Sequence, residues 1–192
     1  MMRKIERENT GLLQAGQDLV VAGYAGLAGT VKLAEAAKEE LSRRFSDEYM
    51  EEIADPAPLF PVSPEFWRSC GAAEWEPAGE GGLLTAIWHL TGAHETGVKF
   101  YLRQIPMRQE TVEVCERLEL NPYRLYSRGC VLLTADNGGQ LVRILAEKHI
   151  PAQVIGRVNK GIAREMIVQE GRGFLERPQP DEITKVIPGF FK

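Results

Sequence analysis

Apolar positions along the chain fall into two periods, one near two residues and one near 3.6. Residues 18–26, "DLVVAGYAG", form a short apolar run closed by glycines, which predicts a strand. Leu27, Val31, Ala34, Ala37, Leu41 and Phe45 then recur at steps of three or four and predict one helix with a single apolar stripe. Ser46, with Glu48 in the following turn, predicts a short helix to Ile53. Segment 54–64, "ADPAPLFPVSP", carries four prolines and is a connection or boundary, not regular helix. Ser63, Pro64 and Glu65 supply an N-cap and an N1 proline for a helix holding Phe66 and Trp67.

Further along, "GVKFYLRQI" (97–105) alternates. Val98, Phe100 and Leu102 face one way, and Lys99, Tyr101 and Arg103 face the other, as in a half-buried strand. In "RQETVEVCERLEL" (108–120), Val112, Cys115 and Leu118 align as a helix, with Thr111 and Val114 beside them and Asn121-Pro122 as the stop. "CVLLTA" reads as a buried strand. "NGGQLVRILAEKHI" reads as a helix opening at Asn137 or just after and burying Leu141, Ile144 and Leu145. "AQVIGRV" and "AREMIV" flank the turn signal "NKG" and predict a hairpin. Asp181 opens a short helix, and Pro188-Gly189 closes the ordered chain. Leu27, Val31, Ala34, Leu41, Ile87, Val112, Cys115, Leu132, Ile144 and Val154 are expected to be buried, and the interleaved elements give an α+β (mixed α/β) class.

Composition narrows function more than fold. The chain has 192 residues, 44% of them apolar and 26% charged, which fits one core-bearing domain or one domain with an appendage. Its net charge is −4 with dispersed basic residues, so no nucleic-acid footprint stands out. No apolar run approaches the roughly 20 residues of a membrane span. The N-terminus has charge but no apolar core of a secretory signal. Cys70, Cys115 and Cys130 are odd in number and far apart, which argues against a disulfide framework and for a reducing cytoplasm.

Candidate chemistry concentrates in "PAGEGGLLTAIWHL" (77–90), where Gly81 and Gly82 stand at the mouth of a helix. Two readings are open. Unpaired N–H groups and the helix dipole make such a mouth an anion cradle; alternatively, the glycines allow close packing of helix on sheet. "GGQ" at 138–140 poses the same choice, and there a turn with an Asn137 cap is the favoured reading. His89 and His94 lie five residues apart, off the spacing of four that places two ligands on one helical face, and neither neighbours a cysteine at metal spacing. His149 sits at a helix end, where a cation is favourable. Cys115 and Cys130 read as core thiols.

The motifs "GQDLVVAGYAG", "EGGLLTAIWHL", "IPMRQETVEVCERLELNPYRLYSRGCVLLTA" and "LAEKHIPAQVIGRV" together resemble the C-terminal domain of the aminoimidazole ribonucleotide (AIR) synthetase-like superfamily, in its HypE-like branch. The resemblance spans roughly Gln14 to Val168. It implies a mixed sheet packed with helices, an N-terminal extension at 1–13, the domain at 14–178, and a short helix and tail at 179–192. Members of the family are two-domain ATP-using enzymes whose N-terminal domain supplies most ATP- and metal-binding carboxylates. Here the match opens at Gln14, so a stand-alone C-terminal domain is expected.

In the HypE-like branch the helix follows an Asp-Pro-Thr-Arg-Gly-Gly-Leu pattern. Aligned on Gly81, Gly82 and Leu83, the Arg falls on Glu80, the Thr on Gly79, the Pro on Ala78 and the Asp on Pro77. An anion replaces a cation, which repels phosphate. HypE-type chains end in a cysteine that carries the modified group, whereas this one ends "VIPGFFK". The expected ligand candidates are therefore Gly79, Glu80, Gly81 and Gly82, with no catalytic or metal residue, and with ATP and Mg²⁺ only if a separate ATP-binding chain joins.

Two functions follow: a non-catalytic binding or regulatory module, or the C-terminal half of a split ATP-dependent enzyme. The expected partners are a second copy or that separate chain, with no nucleic acid and no membrane. Leu59, Phe60, Val62, Phe66 and Trp67 are candidate contact residues.

Overall fold

The computed structural model describes residues 13–55 and 63–192. Leu59, Phe60, Val62 and most of the proline-rich connection lie outside these described residues, as does nearly all of the 1–13 extension.

Seven strands form one mixed sheet: β1 (Asp18–Ala22), β2 (Glu74–Pro77), β3 (Gly97–Tyr101), β4 (Val131–Ala135), β5 (Ala152–Asn159), β6 (Arg164–Val168) and β7 (Gly171–Phe174), in the order β2-β4-β1-β5-β3-β6-β7. All neighbours are antiparallel except β3 and β6. The helices are α1 (Leu27–Ala36), α2 (Lys38–Leu41), α3 (Asp47–Ile53), α4 (Pro64–Ser69), α5 (Gly82–Ala93), α6 (Gln109–Arg117) and α7 (Gly138–Glu147). Mixed α+β is thus the observed class.

Strand alternation sorts the apolar residues into two layers. Leu19 and Val21 of β1, Leu132 of β4, and Val98 and Phe100 of β3 point toward Leu83, Ile87 and Leu90 of α5. Val20, Ala22, Val131 and Leu133 point the other way, toward Trp67 of α4 and Leu141 and Leu145 of α7. Strands β1 and β4 are covered on both faces, which is why they read as continuous apolar runs. A third core joins α1, α2, α3 and α6 to the C-terminal turn through Leu33, Leu41, Ile53, Val114, Cys115 and Ile183.

Helix starts follow their side-chain signals. Ser46 accepts from Tyr49 N–H, Ser63 from Phe66 N–H and Asn137 from Gln140 N–H, at 3.2, 3.1 and 2.9 Å.

Several expectations need correction. The helix predicted over 27–45 breaks at Ala37 (φ −108°), giving α1 and α2. Leu27, Ala34 and Leu41 are buried as expected, but Val31 is only half-buried and Leu33 takes its place. Ile144 and Val154 are also half-buried, at the margin of the α7 layer. Val112 is 46% exposed. The Thr111 hydroxyl bonds that of Thr30 on α1 at 3.0 Å, so α6 turns its Thr111, Val114 and Cys115 face inward.

Residues 102–104 form a 3-10 turn, not strand. The expected hairpin is absent. β3 lies between β5 and β6, parallel to β6, and the link between those two passes over its start. Gly97 makes this crossing feasible: a Cβ there would stand 2.6 Å from the Ala163 carbonyl oxygen, which already accepts from Val98 N–H.

Candidate functional site

The glycine-led start of α5 has a specific backbone shape. Gly81 and Gly82 both take positive φ, 77° and 67°, which side-chain-bearing residues avoid. A Cβ on Gly82 would lie 2.5 Å from the Tyr123 carbonyl oxygen, so the helix start packs tightly on the Pro122–Arg124 turn. The Gly79 carbonyl accepts from both Gly82 N–H and Ser127 N–H at 3.1 Å, and Glu80 points to solvent.

An anion does sit at this mouth, and the chain supplies it. Gly81 N–H donates to Oδ2 of Asp181 at 2.6 Å. The same carboxylate accepts from Tyr126 N–H at 3.1 Å and from Ile183 N–H at 2.9 Å, the latter capping its own 3-10 turn, Glu182–Lys185. Asp181 is 2% exposed. Burial raises its carboxyl above the ordinary value and the Glu80 charge adds to this, while the three N–H bonds pull the other way.

The other glycine-led starts are closed in the same manner. At α1, Gly26 N–H donates to the fully buried Ser127 Oγ at 2.8 Å, and Ser127 in turn donates to the Leu125 carbonyl at 2.7 Å. At α7, Gly138 N–H donates to Asp18 Oδ2 at 2.9 Å, and Arg157 holds the other oxygen of that carboxylate at 3.1 Å. Each of these three glycine-led mouths therefore meets an oxygen from elsewhere in the chain.

Of the four candidates, the structure places Gly81 and Gly82 at the mouth, and Gly79 orders the turn before it. Glu80 contributes only its charge. Reading the sequence missed Asp181, Ser127 and Asp18 as acceptors. Asp181 carried a cap signal for its own helix, but nothing in the pattern joins it to Gly81, which lies 100 residues away.

The remaining candidates are structural. Glu76 pairs with His89 at 3.7 Å and Glu74 with His94 at 3.9 Å, between β2 and α5. Among the described residues no three His, Cys, Asp or Glu side chains are grouped to hold a metal ion. All three cysteines are buried, and burial pushes the Cys115 and Cys130 thiols up to about 12.

Against this geometry, the family model for AIR synthase related protein, C-terminal domain, matches residues 14–169. The chain belongs to this family. The PurL subunit of phosphoribosylformylglycinamidine synthase from Corynebacterium glutamicum is 24% identical over 162 residues, covering 81% of this chain and 20% of PurL. A crystal structure of the hydrogenase maturation protein HypE in complex with ATP superposes with TM-score 0.69 at 17% identity, over 91% of this chain and 55% of HypE. HypE from a HypE–HypF complex superposes with TM-score 0.66 at 18% identity, over 86% and 54% of the two chains. This AIR synthase-type domain thus spans about half the length of those HypE chains and a fifth of PurL. Among its described residues no helix is long and apolar enough to cross a membrane.

Proposed function

We propose that this AIR synthase-type domain is a binding or regulatory module that does not turn over ATP on its own. The Gly81–Asp181 contact carries the reading. A phosphate at the α5 mouth needs the Gly81 N–H that a buried carboxylate already holds, and it meets the charges of Asp181 and Glu80 together. The residues present do not fit an ATP phosphate there while Asp181 is in place.

The test is phosphate release by the purified protein with Mg²⁺ and ATP. The expected rate equals the no-protein control. Turnover above that control, falling when Gly81 or Gly82 is replaced, overturns the reading.

A second reading is the C-terminal half of a split ATP-dependent enzyme. It draws support from the HypE structure that holds ATP and from the buried Thr85 hydroxyl, which has no hydrogen-bond partner among the described residues and lies beside Gly81. ATP turnover that appears only on adding a separately produced ATP-binding chain favours this reading. In either case the partner surface is proposed to be met by that chain or by a second copy, in the cytoplasm.

A further inference from the structure

Among the described residues, three of the seven strands carry no helical layer on one face of the sheet. The apolar layer under α4 and α7 draws on β1, β2, β4 and β5 and, among the described residues, on nothing from β3, β6 or β7. The register shows what those three strands present there. Lys99, Glu165 and Phe174 form one row, and Tyr101, Ile167 and Arg172 form the next. Their neighbours along the strands, Val98, Phe100 and Met166, point to the α5 core. Phe174 is 64% exposed and Tyr101 41%, unusual for aromatic rings on a sheet face. Arg157, next in the first row, is already paired with Asp18.

We propose that this face docks an acidic amphipathic helix of a partner protein. Such a helix continues the layer that α7 begins on the adjacent strands. Neighbouring strands lie about 4.8 Å apart, so the three-strand patch is about 10 Å across, the width of one helix with side chains. Tyr101, Ile167 and Phe174 receive its apolar stripe, and Lys99 and Arg172 face its carboxylates. Aromatic and arginine anchors are what protein interfaces enrich. A second copy of the same face is disfavoured, because a two-fold contact brings together two patches of the same sign, each carrying Lys99 and Arg172 against the single carboxylate of Glu165. Nucleic acid is disfavoured by the same arithmetic: Lys99 and Arg172, the two patch cations without an ion pair among the described residues, do not track a phosphate backbone on a chain of net charge −4.

The probe is a fluorescein-labelled amphipathic helix of glutamate and leucine, with its lysine-for-glutamate counterpart as control. Both are titrated against the full chain while amide NMR shifts are followed. The glutamate peptide is expected to bind about tenfold or more tightly than the lysine peptide, to weaken with salt, and to shift amides of β3, β6 and β7. Phe174→Ala, and Lys99→Glu with Arg172→Glu, are each expected to cut that affinity about tenfold at unchanged melting temperature. Equal affinity for both peptides, shifts elsewhere, or indifference to these variants overturns the proposal. So does tighter, variant-sensitive binding of oligothymidylate, or a dimer in sedimentation that Phe174→Ala dissolves.

Discussion

A Cβ on Gly82 has no room, whereas one on Gly79 meets nothing within 4 Å. That contrast separates two of the four candidate residues. Gly82→Ala forces a left-handed backbone and a backbone clash at Tyr123, and is expected to cost about 3 kcal/mol, roughly a 10 °C drop in Tm. Gly79→Ala should stay within about 0.5 kcal/mol of wild type in the same thermal melt.

Asp181 gives a pH signature. A carboxyl raised in the folded state stabilises fully below its ordinary value of 3.8, and that contribution is lost as pH rises through the folded value. The Tm advantage of wild type over Asp181→Asn should therefore be largest near pH 3.5 and shrink toward neutrality. An advantage that grows with pH would mean the three N–H bonds outweigh burial.

Elements were more legible in the sequence than their neighbours were. β1 and β4 announce themselves as apolar runs because both faces are covered, and Ser46, Ser63 and Asn137 mark helix starts because capping is local chemistry. Strands β2 and β7 carry no such mark. They are four-residue edge strands, one rich in glutamate and one in glycine, and pairing alone defines them. The hairpin expectation failed for a related reason: "NKG" is a genuine turn signal, but it says nothing about whether a third strand slips between the arms. The α5 mouth was legible as a shape and not as a site, since its occupant comes from the far end of the chain. Gly97→Ala tests the crossover directly. Pushing Ala163 off the start of β3 is expected to cost about 2 kcal/mol. Amide exchange should quicken in β6 and β7 while β1 and β4 stay protected, and uniform loss across the sheet would contradict this.

At the scale of the molecule, the C-terminal segment ties the third core to the α5 mouth. Ile183 is fully buried beside Val114 and Cys115, Glu182 accepts from Asn121 N–H at 3.1 Å, and Asp181 holds Gly81 and Tyr126. Cutting the chain after Pro180 removes all of these contacts and leaves the two sheet layers intact. Cys115 lies under the removed segment, and Glu182 contributes to its raised pKa, whereas Cys130 sits in the α5 core. In the full chain, a pKa of about 12 leaves on the order of one thiol in ten thousand ionised at pH 8, so neither cysteine should react with a disulfide reagent. In the truncated protein Cys115 is expected to react and Cys130 to stay silent. Reaction of both would show that the segment holds up the whole fold. Silence of both would show that the third core closes without it, and the link between Asp181 and the helix mouth would then be incidental to stability.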